Sequence, residues 1–166
     1  MARKKREKAV LLRLRLLFAA VVLLTSCDGT VYHRFESIDG GRWAKEDTLS
    51  FIYDGGTSLA ADAGIAVAVQ MRYAAAYKYR NVVVRVESFG TGAEVLSVDT
   101  LCCEIYDDDG HRLGSTAGTM YQNGSDAVVV PATCADTLFL KVSHIMDEGV
   151  LPGIFDVGVK LTKVNP

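Results

Sequence analysis

Ile65-Ala66-Val67-Ala68-Val69-Gln70-Met71-Arg72-Tyr73 is the stretch whose reading decides the fold. Large apolar side chains recur at every second position, Ile65, Val67, Val69, Met71 and Tyr73. The alternate positions run from Ala66 and Ala68 to Gln70 and Arg72. Successive side chains of a β-strand point to opposite faces, so this period of two predicts a strand with one buried face. An amphipathic helix would place its apolar residues three and four apart.

The same period returns on both sides of that stretch. Upstream, Val31 to Ile38 alternates Val31, His33 and Phe35 with Tyr32, Arg34 and Glu36. Asp47 to Tyr53 sets Leu49, Phe51 and Tyr53 on one face. Downstream, Val82, Val84 and Val86 face one way, as do Leu101, Cys103 and Ile105, and then Leu138, Leu140 and Val142. In the last run, Gly153 to Val164, the spacing puts Phe155, Val157, Val159 and Leu161 on one face. Asp39-Gly40-Gly41, Asp54-Gly55-Gly56 and Asp107-Asp108-Asp109-Gly110 punctuate these runs as turns. Gly114 to Asp126 has no clear period and reads as loop with room for one short strand, and Ala127 to Val130 is stopped by Pro131. The triplet Asp-Thr-Leu occurs at Asp47, Asp99 and Asp136 and reads as a recurrent strand opening. Many short strands and no convincing amphipathic helix predict an all-β fold, a single antiparallel β-sandwich of jelly-roll or immunoglobulin-like type.

Ahead of that domain lies an export address. Met1 to Lys8 is densely basic, and Leu16 to Leu24 is an uninterrupted apolar run. Nine helical residues span roughly 14 Å, about half of a hydrocarbon core, so the run is a signal-peptide core and not a spanning helix. Leu24-Thr25-Ser26-Cys27 closes it as a lipobox, in which small residues precede a cysteine that becomes the new N-terminus. The expected organisation is a lipoprotein signal peptide over 1–26, the lipidated Cys27 with a short tether over 27–30, and a sandwich over 31–166. Each buried methylene of an acyl chain contributes about 0.8 kcal/mol, so two or three chains on Cys27 hold the domain to a membrane.

Removal of 1–26 changes the charge. Of 18 Lys+Arg and 20 Asp+Glu, seven basic residues and one acid lie in that segment. Eleven and nineteen remain, a formal net charge of −8. That balance excludes nucleic acid as a partner, which clustered Lys and Arg would recognise. It also leaves membrane attachment to the lipid.

No residue pattern points to catalysis. His33, His111 and His144 sit in no recognisable catalytic frame, there is no Gly-x-Ser-x-Gly elbow, and Gly90-Thr91-Gly92 lacks the third glycine of a phosphate loop. Asp107 to Asp109 lacks the later ligands of a calcium loop and reads as a tight turn. No CxxC or HxxxH spacing suggests a metal. Cys102 and Cys103 read as strand thiols, with Cys103 beside the core. In an oxidising compartment a disulfide from Cys134 to Cys102 or Cys103 is the competing reading. Trp43, Tyr73, Tyr77, Tyr79 and Arg80 are the residues to consider for an interaction surface, because Tyr, Trp and Arg dominate interface hot spots. The bland alternative is a hairpin whose tyrosines cover the edge of the core.

Met71-Arg72-Tyr73 through Tyr77-Lys78-Tyr79-Arg80-Asn81-Val82, and Met146-Asp147-Glu148-Gly149-Val150-Leu151-Pro152-Gly153-Ile154-Phe155-Asp156-Val157-Gly158-Val159, resemble the gliding-motility lipoprotein GldH family of the Bacteroidota. Val31-Tyr32, Trp43 ahead of Asp47, Asp99-Thr100-Leu101 and Gly110 to Gly114 follow in the same order. The resemblance implies a cell-envelope lipoprotein with no enzymatic activity and no cofactor beyond the lipid carried on Cys27. It also implies other envelope proteins as partners. Gly153 and Asp156 would then be turn residues or part of a docking edge. A different class of function, binding of carbohydrate or peptidoglycan, would use Trp43, Tyr73, Tyr77 and Tyr79 as stacking platforms.

Overall fold

The structure, a computed structural model, describes residues 29–55, 64–131 and 137–164. The lipobox, Cys27 and Cys134 lie outside the described residues. Twelve strands follow one another: β1 (Thr30–Ser37), β2 (Arg42–Ala44), β3 (Leu49–Asp54), β4 (Gly64–Tyr73), β5 (Asn81–Phe89), β6 (Val95–Glu104), β7 (Ser115–Ala117), β8 (Met120–Gly124), β9 (Val128–Pro131), β10 (Thr137–His144), β11 (Val150–Pro152) and β12 (Ile154–Val164). A 3-10 turn at Asp39–Gly41 joins β1 to β2.

One sheet has the order β1-β12-β4-β8-β7, with β9 sharing the edge of β4 beyond β8, and the second has the order β3-β10-β5-β6. All these neighbours are antiparallel. The pairing is that of one long hairpin folded over itself. The first strand meets the last (β1 with β12), β3 meets β10, β4 meets β8 and β9, and β5 meets β6. This is the double Greek key of a jelly roll. An immunoglobulin-like sandwich would pair its first two strands in one sheet, so the strand order decides between the two expected types.

The period-two faces mostly hold. Ile65, Val67, Val69, Met71 and Tyr73 are buried, and so are Val82, Val84, Val86, Leu138, Leu140, Val142, Val157, Val159 and Leu161. Full burial of each such side chain contributes about 1.5–3 kcal/mol, and together they form one core between the sheets.

Three expectations need correction. Phe155 is exposed and Ile154 takes its place in the core, because a bulge between Ile154 and Asp156 adds a residue opposite Tyr73 and Arg72 and flips the alternation. Asp99 stands in the middle of β6 opposite Val86, so the Asp-Thr-Leu triplet does not mark a strand opening there, and Asp136 lies outside the described residues. Gly114 to Asp126 holds a hairpin, β7 and β8, turned at Gly118 with φ +64°. Trp43 and Leu151 sit in two short strands, β2 and β11, that pair only with each other.

β1 is an edge strand whose Arg34 and Glu36 fall in the register of core residues Val159 and Val157. They form an ion pair at 2.9 Å instead. Charges in core register on an edge strand discourage another strand from adding to it.

Candidate functional site

Strand directions give the sandwich two poles. Thr30 opens β1, so Cys27 is joined to the domain through Asp28 and Gly29 alone. The pole that follows Cys27 in the chain, which a lipid there would tether, therefore holds the start of β1, the end of β12 and the start of β4, which pair at Thr30–Thr162 and Gly64–Val164. In the second sheet the end of β3 and the start of β10 lie at this pole, paired at Asp54–Thr137. The opposite pole gathers the 3-10 turn, β2 with β11, the Ala74–Arg80 turn, and the 105–113 turn. This far pole is the candidate functional site.

Its base is aromatic. Trp43 is fully buried and donates from its indole N–H to the Asp47 carbonyl at 3.1 Å. Its ring meets His144 edge to face. His144 is itself buried, and neither ring nitrogen makes a well-formed hydrogen bond. Desolvation holds its pKa below the usual value, with the Trp43 backbone opposing that shift and the nearby Lys45 ammonium adding to it. Tyr73 is buried and its hydroxyl donates to the Leu113 carbonyl at 2.9 Å. Tyr77 is buried, and burial pushes its phenol far above the ordinary range. Tyr106 donates to the Tyr77 carbonyl at 3.0 Å. The Arg112 guanidinium lies 4.2 Å from the Tyr121 ring centroid and 4.9 Å from that of Tyr106, and donates to the Ala75 carbonyl at 2.6 Å. The hydrogen bonds from Arg112 and Tyr106 fasten the 105–113 turn to the Ala74–Arg80 turn, and the cation–π contact with Tyr121 holds Arg112 against β8.

Gly153, at φ +94°, is the pivot between the 3-10 turn and the Ala74–Arg80 turn. Its N–H donates to the Gly41 carbonyl at 2.7 Å, and its carbonyl accepts from Ala74 N–H at 2.8 Å. That left-handed conformation suits glycine, so Gly153 is a structural residue.

Burial corrects the expected interaction surface. Trp43, Tyr73 and Tyr77 have their rings inside the core and offer no face to a sugar or a partner. The cause is long-range: the Trp43 ring packs against His144 of β10, and the 105–113 turn closes on the tyrosines through Leu113 and Tyr106. Of the five expected residues, Tyr79 is half-buried and Arg80 exposed. Tyr79 packs edge to face on Tyr77, with the Lys78 ammonium 4.6 Å from its ring centroid. A hydrogen bond to Tyr79 raises the Lys78 pKa, and one from Tyr79 lowers that of Glu148. Arg80 forms an ion pair with Asp108.

Asp107, Asp109 and His111 bring ligand atoms within 4.8 Å of one another. The side chains of Asp107 and His111 are already employed in the turn. Asp107 Oδ1 accepts from Asp109 N–H at 3.0 Å and from His111 N–H at 2.8 Å. These bonds, the His111 backbone N–H above all, keep its carboxyl below the usual range. The expected tight turn is what stands there.

Cys102 and Cys103 are free thiols. Cys103 is buried, its thiol 3.7 Å from the Val69 carbonyl, and desolvation pushes its pKa up to about 12. Cys102 is exposed beside a polar cleft of about 420 Å³ lined by Glu104, Asn123 and Asp126.

Residues 30–161 match the GldH lipoprotein family. The chain belongs to that family. GldH membership makes it a membrane-associated envelope lipoprotein, as the resemblance of the Tyr77–Val82 and Met146–Val159 stretches implied. Those GldH-like stretches form the far pole and the bulged start of β12, where Gly158 lets the Phe35 ring lie across the sheet. No curated protein sequence matches the chain. Among solved structures, it is similar to VP2 in the subviral particle of infectious bursal disease virus, at 11% identity and a TM-score of 0.37, covering 84% of this chain and 34% of that one. The Gx strain of the same virus gives 14% identity and a TM-score of 0.28, covering 84% and 33%. This chain thus spans about a third of those chains.

Proposed function

We propose that the protein is a non-enzymatic component of an envelope protein assembly of the gliding-motility type, held to a membrane by lipid on Cys27. In this reading the far pole, with Tyr79 and Arg80, meets its protein partners. The observation that carries it is the rigid aromatic base at that pole. Three turns are tied to one another through Gly153, Arg112, Tyr106 and Tyr77, and they present Lys78, Tyr79, Arg80 and Glu148 away from the tether. Rigid, mixed-charge loops around a half-buried aromatic suit protein docking. The burial of Trp43, Tyr73 and Tyr77 disfavours the sugar-stacking alternative.

A photo-crosslinking side chain at position 79, in intact cells, tests the proposal. Stoichiometric adducts with envelope proteins are the expected result. Adducts with glycan alone, or hydrolase activity of the purified protein, would refute it. For the anchor, Cys27→Ser is expected to leave the protein unacylated by mass and released from the membrane fraction.

A further inference from the structure

The outer face of the four-stranded sheet carries an apolar row that the core does not use. Ile52 pairs with Phe139, Phe139 with Phe89, and Phe89, just past a bulge at Ser88, with Val95, so the row crosses β3, β10, β5 and β6. Ile52 is 57% exposed, Val95 60% and Phe139 36%. A shallow cleft of about 310 Å³ opens between Phe89, Phe139 and the Gly90–Ala93 turn. Four apolar side chains side by side on a solvent face mark a contact surface, unlike one stray leucine.

Its position says what it contacts. The row lies two residues from the Asp54–Thr137 pair, at the tethered pole. β1 and β3 are edge strands on the same side of the sandwich, and Tyr32 meets Tyr53 there, ring centroids 5.8 Å apart. Ile52 neighbours Tyr53, and Tyr32 is two residues from Thr30. Only three peptide units, at most about 11 Å of chain, separate Cys27 from Thr30 in the sequence. Cys27 and the Ile52 end of the row therefore share one corner of the domain, and the row runs from that corner across the sheet at the same pole.

We propose that this row, Ile52, Phe139, Phe89 and Val95, rests on the lipid surface that holds Cys27 and so sets the tilt of the sandwich. The inference rests on the reading that Cys27 is lipidated. Among the described residues no helix is long and apolar enough to cross a membrane, and a strand face of this size reaches only the headgroup–acyl boundary. Charges at its border are mixed. The Lys141 ammonium lies 5.2 Å from the Phe89 ring centroid, Glu87 is paired with Arg85 at 2.7 Å, and Asp54 and Glu94 flank the row. Contact is therefore apolar in origin and insensitive to salt.

The test uses the acylated full-length protein, its lipid confirmed by mass, in vesicles of phosphatidylethanolamine and phosphatidylcholine with brominated acyl chains. Trp43, the one native tryptophan, is buried at the far pole and supplies a constant background. Phe139→Trp is expected to shift its emission to the blue and to be quenched by bromine several-fold more than Ser143→Trp, farther along the same strand face. The Phe139→Trp quenching is expected to persist at high salt and to fall in the double variant with Ile52→Asp. Equal quenching at positions 139 and 143 overturns the proposal, whether residue 139 proves open to iodide or covered by a second copy or another protein. Absence of acyl mass on Cys27 overturns the anchor instead.

Discussion

The indole of Trp43 meets the imidazole of His144 edge to face, 5.2 Å between centroids, in the buried cap at the far pole. Burial favours the neutral imidazole, so the folded pKa lies below 6.5. The unfolded chain then binds the proton more readily. His144's contribution to stability is complete above pH 6.5 and declines as pH falls from there toward the folded value. Urea midpoints measured between pH 7.5 and 5 should fall for the wild type and show a flatter profile for His144→Gln. The lowered carboxyls of Asp107 and Glu148 act in the same direction, but only in more acidic solution.

Gly158 lies under the Phe35 ring, and a Cβ there would stand 2.6 Å from Phe35 Cδ1 and 2.9 Å from the Arg34 carbonyl oxygen. Arg72 stacks over that ring at 3.9 Å. Gly158→Ala should cost about 1–3 kcal/mol in chemical denaturation, as overpacking does. Adding Phe35→Ala should recover part of the loss, because the backbone contact remains. Strictly additive effects in the double variant would show that the ring is not what the methyl meets.

Cys102 and Cys103 are neighbours in sequence with opposite exposure. Iodoacetamide at neutral pH should label Cys102 in the folded protein and reach Cys103 only after denaturant. Mass mapping of the tryptic peptide reads this directly, with Cys102→Ser as control. Labelling of Cys103 in native buffer would mean that the β6 edge opens.

Tyr77 and Tyr79 should separate stability from docking. Tyr77→Ala empties a buried site and should cost about 3–5 kcal/mol. Tyr79→Ala loses an edge-to-face contact with Tyr77, about 0.5–1.5 kcal/mol, and should leave the thermal transition nearly in place. Crosslinked partner from a neighbouring position should nevertheless fall sharply for Tyr79→Ala. Loss of partner in Tyr77→Ala alone would make the far pole a purely structural cap.

Much of the fold was legible in the chain because a strand's two faces are written locally. The alternation from Ile65 to Tyr73 and the one from Leu138 to Val142 both emerge in the structure with the predicted sides buried. The reading failed where the alternation is interrupted or faint. At Phe155 a bulge inserted one residue, and nothing in the local pattern announces a bulge. β7 and β8 are short and polar on their way past Gly118, so their pairing was invisible without each other. Among the aromatics around position 77, the interleaved Lys78 and Arg80 leave a surface and a core-edge reading both open. Only the strands that close over them make Tyr73 and Tyr77 interior.

By itself, then, the sequence determined an all-β sandwich, the buried face of most long strands, and a nine-residue apolar run, Leu16 to Leu24, just ahead of Cys27. These are local properties, set by side-chain period and by the length of an apolar segment. The tertiary structure decided that the sandwich is a jelly roll, that Trp43, Tyr73 and Tyr77 are foundation and not surface, and that Ile52, Phe139, Phe89 and Val95 line up across four strands. Each of these depends on which distant strands pair and in what register. That choice is made by the summed burial of the whole core, and no window of the chain contains it.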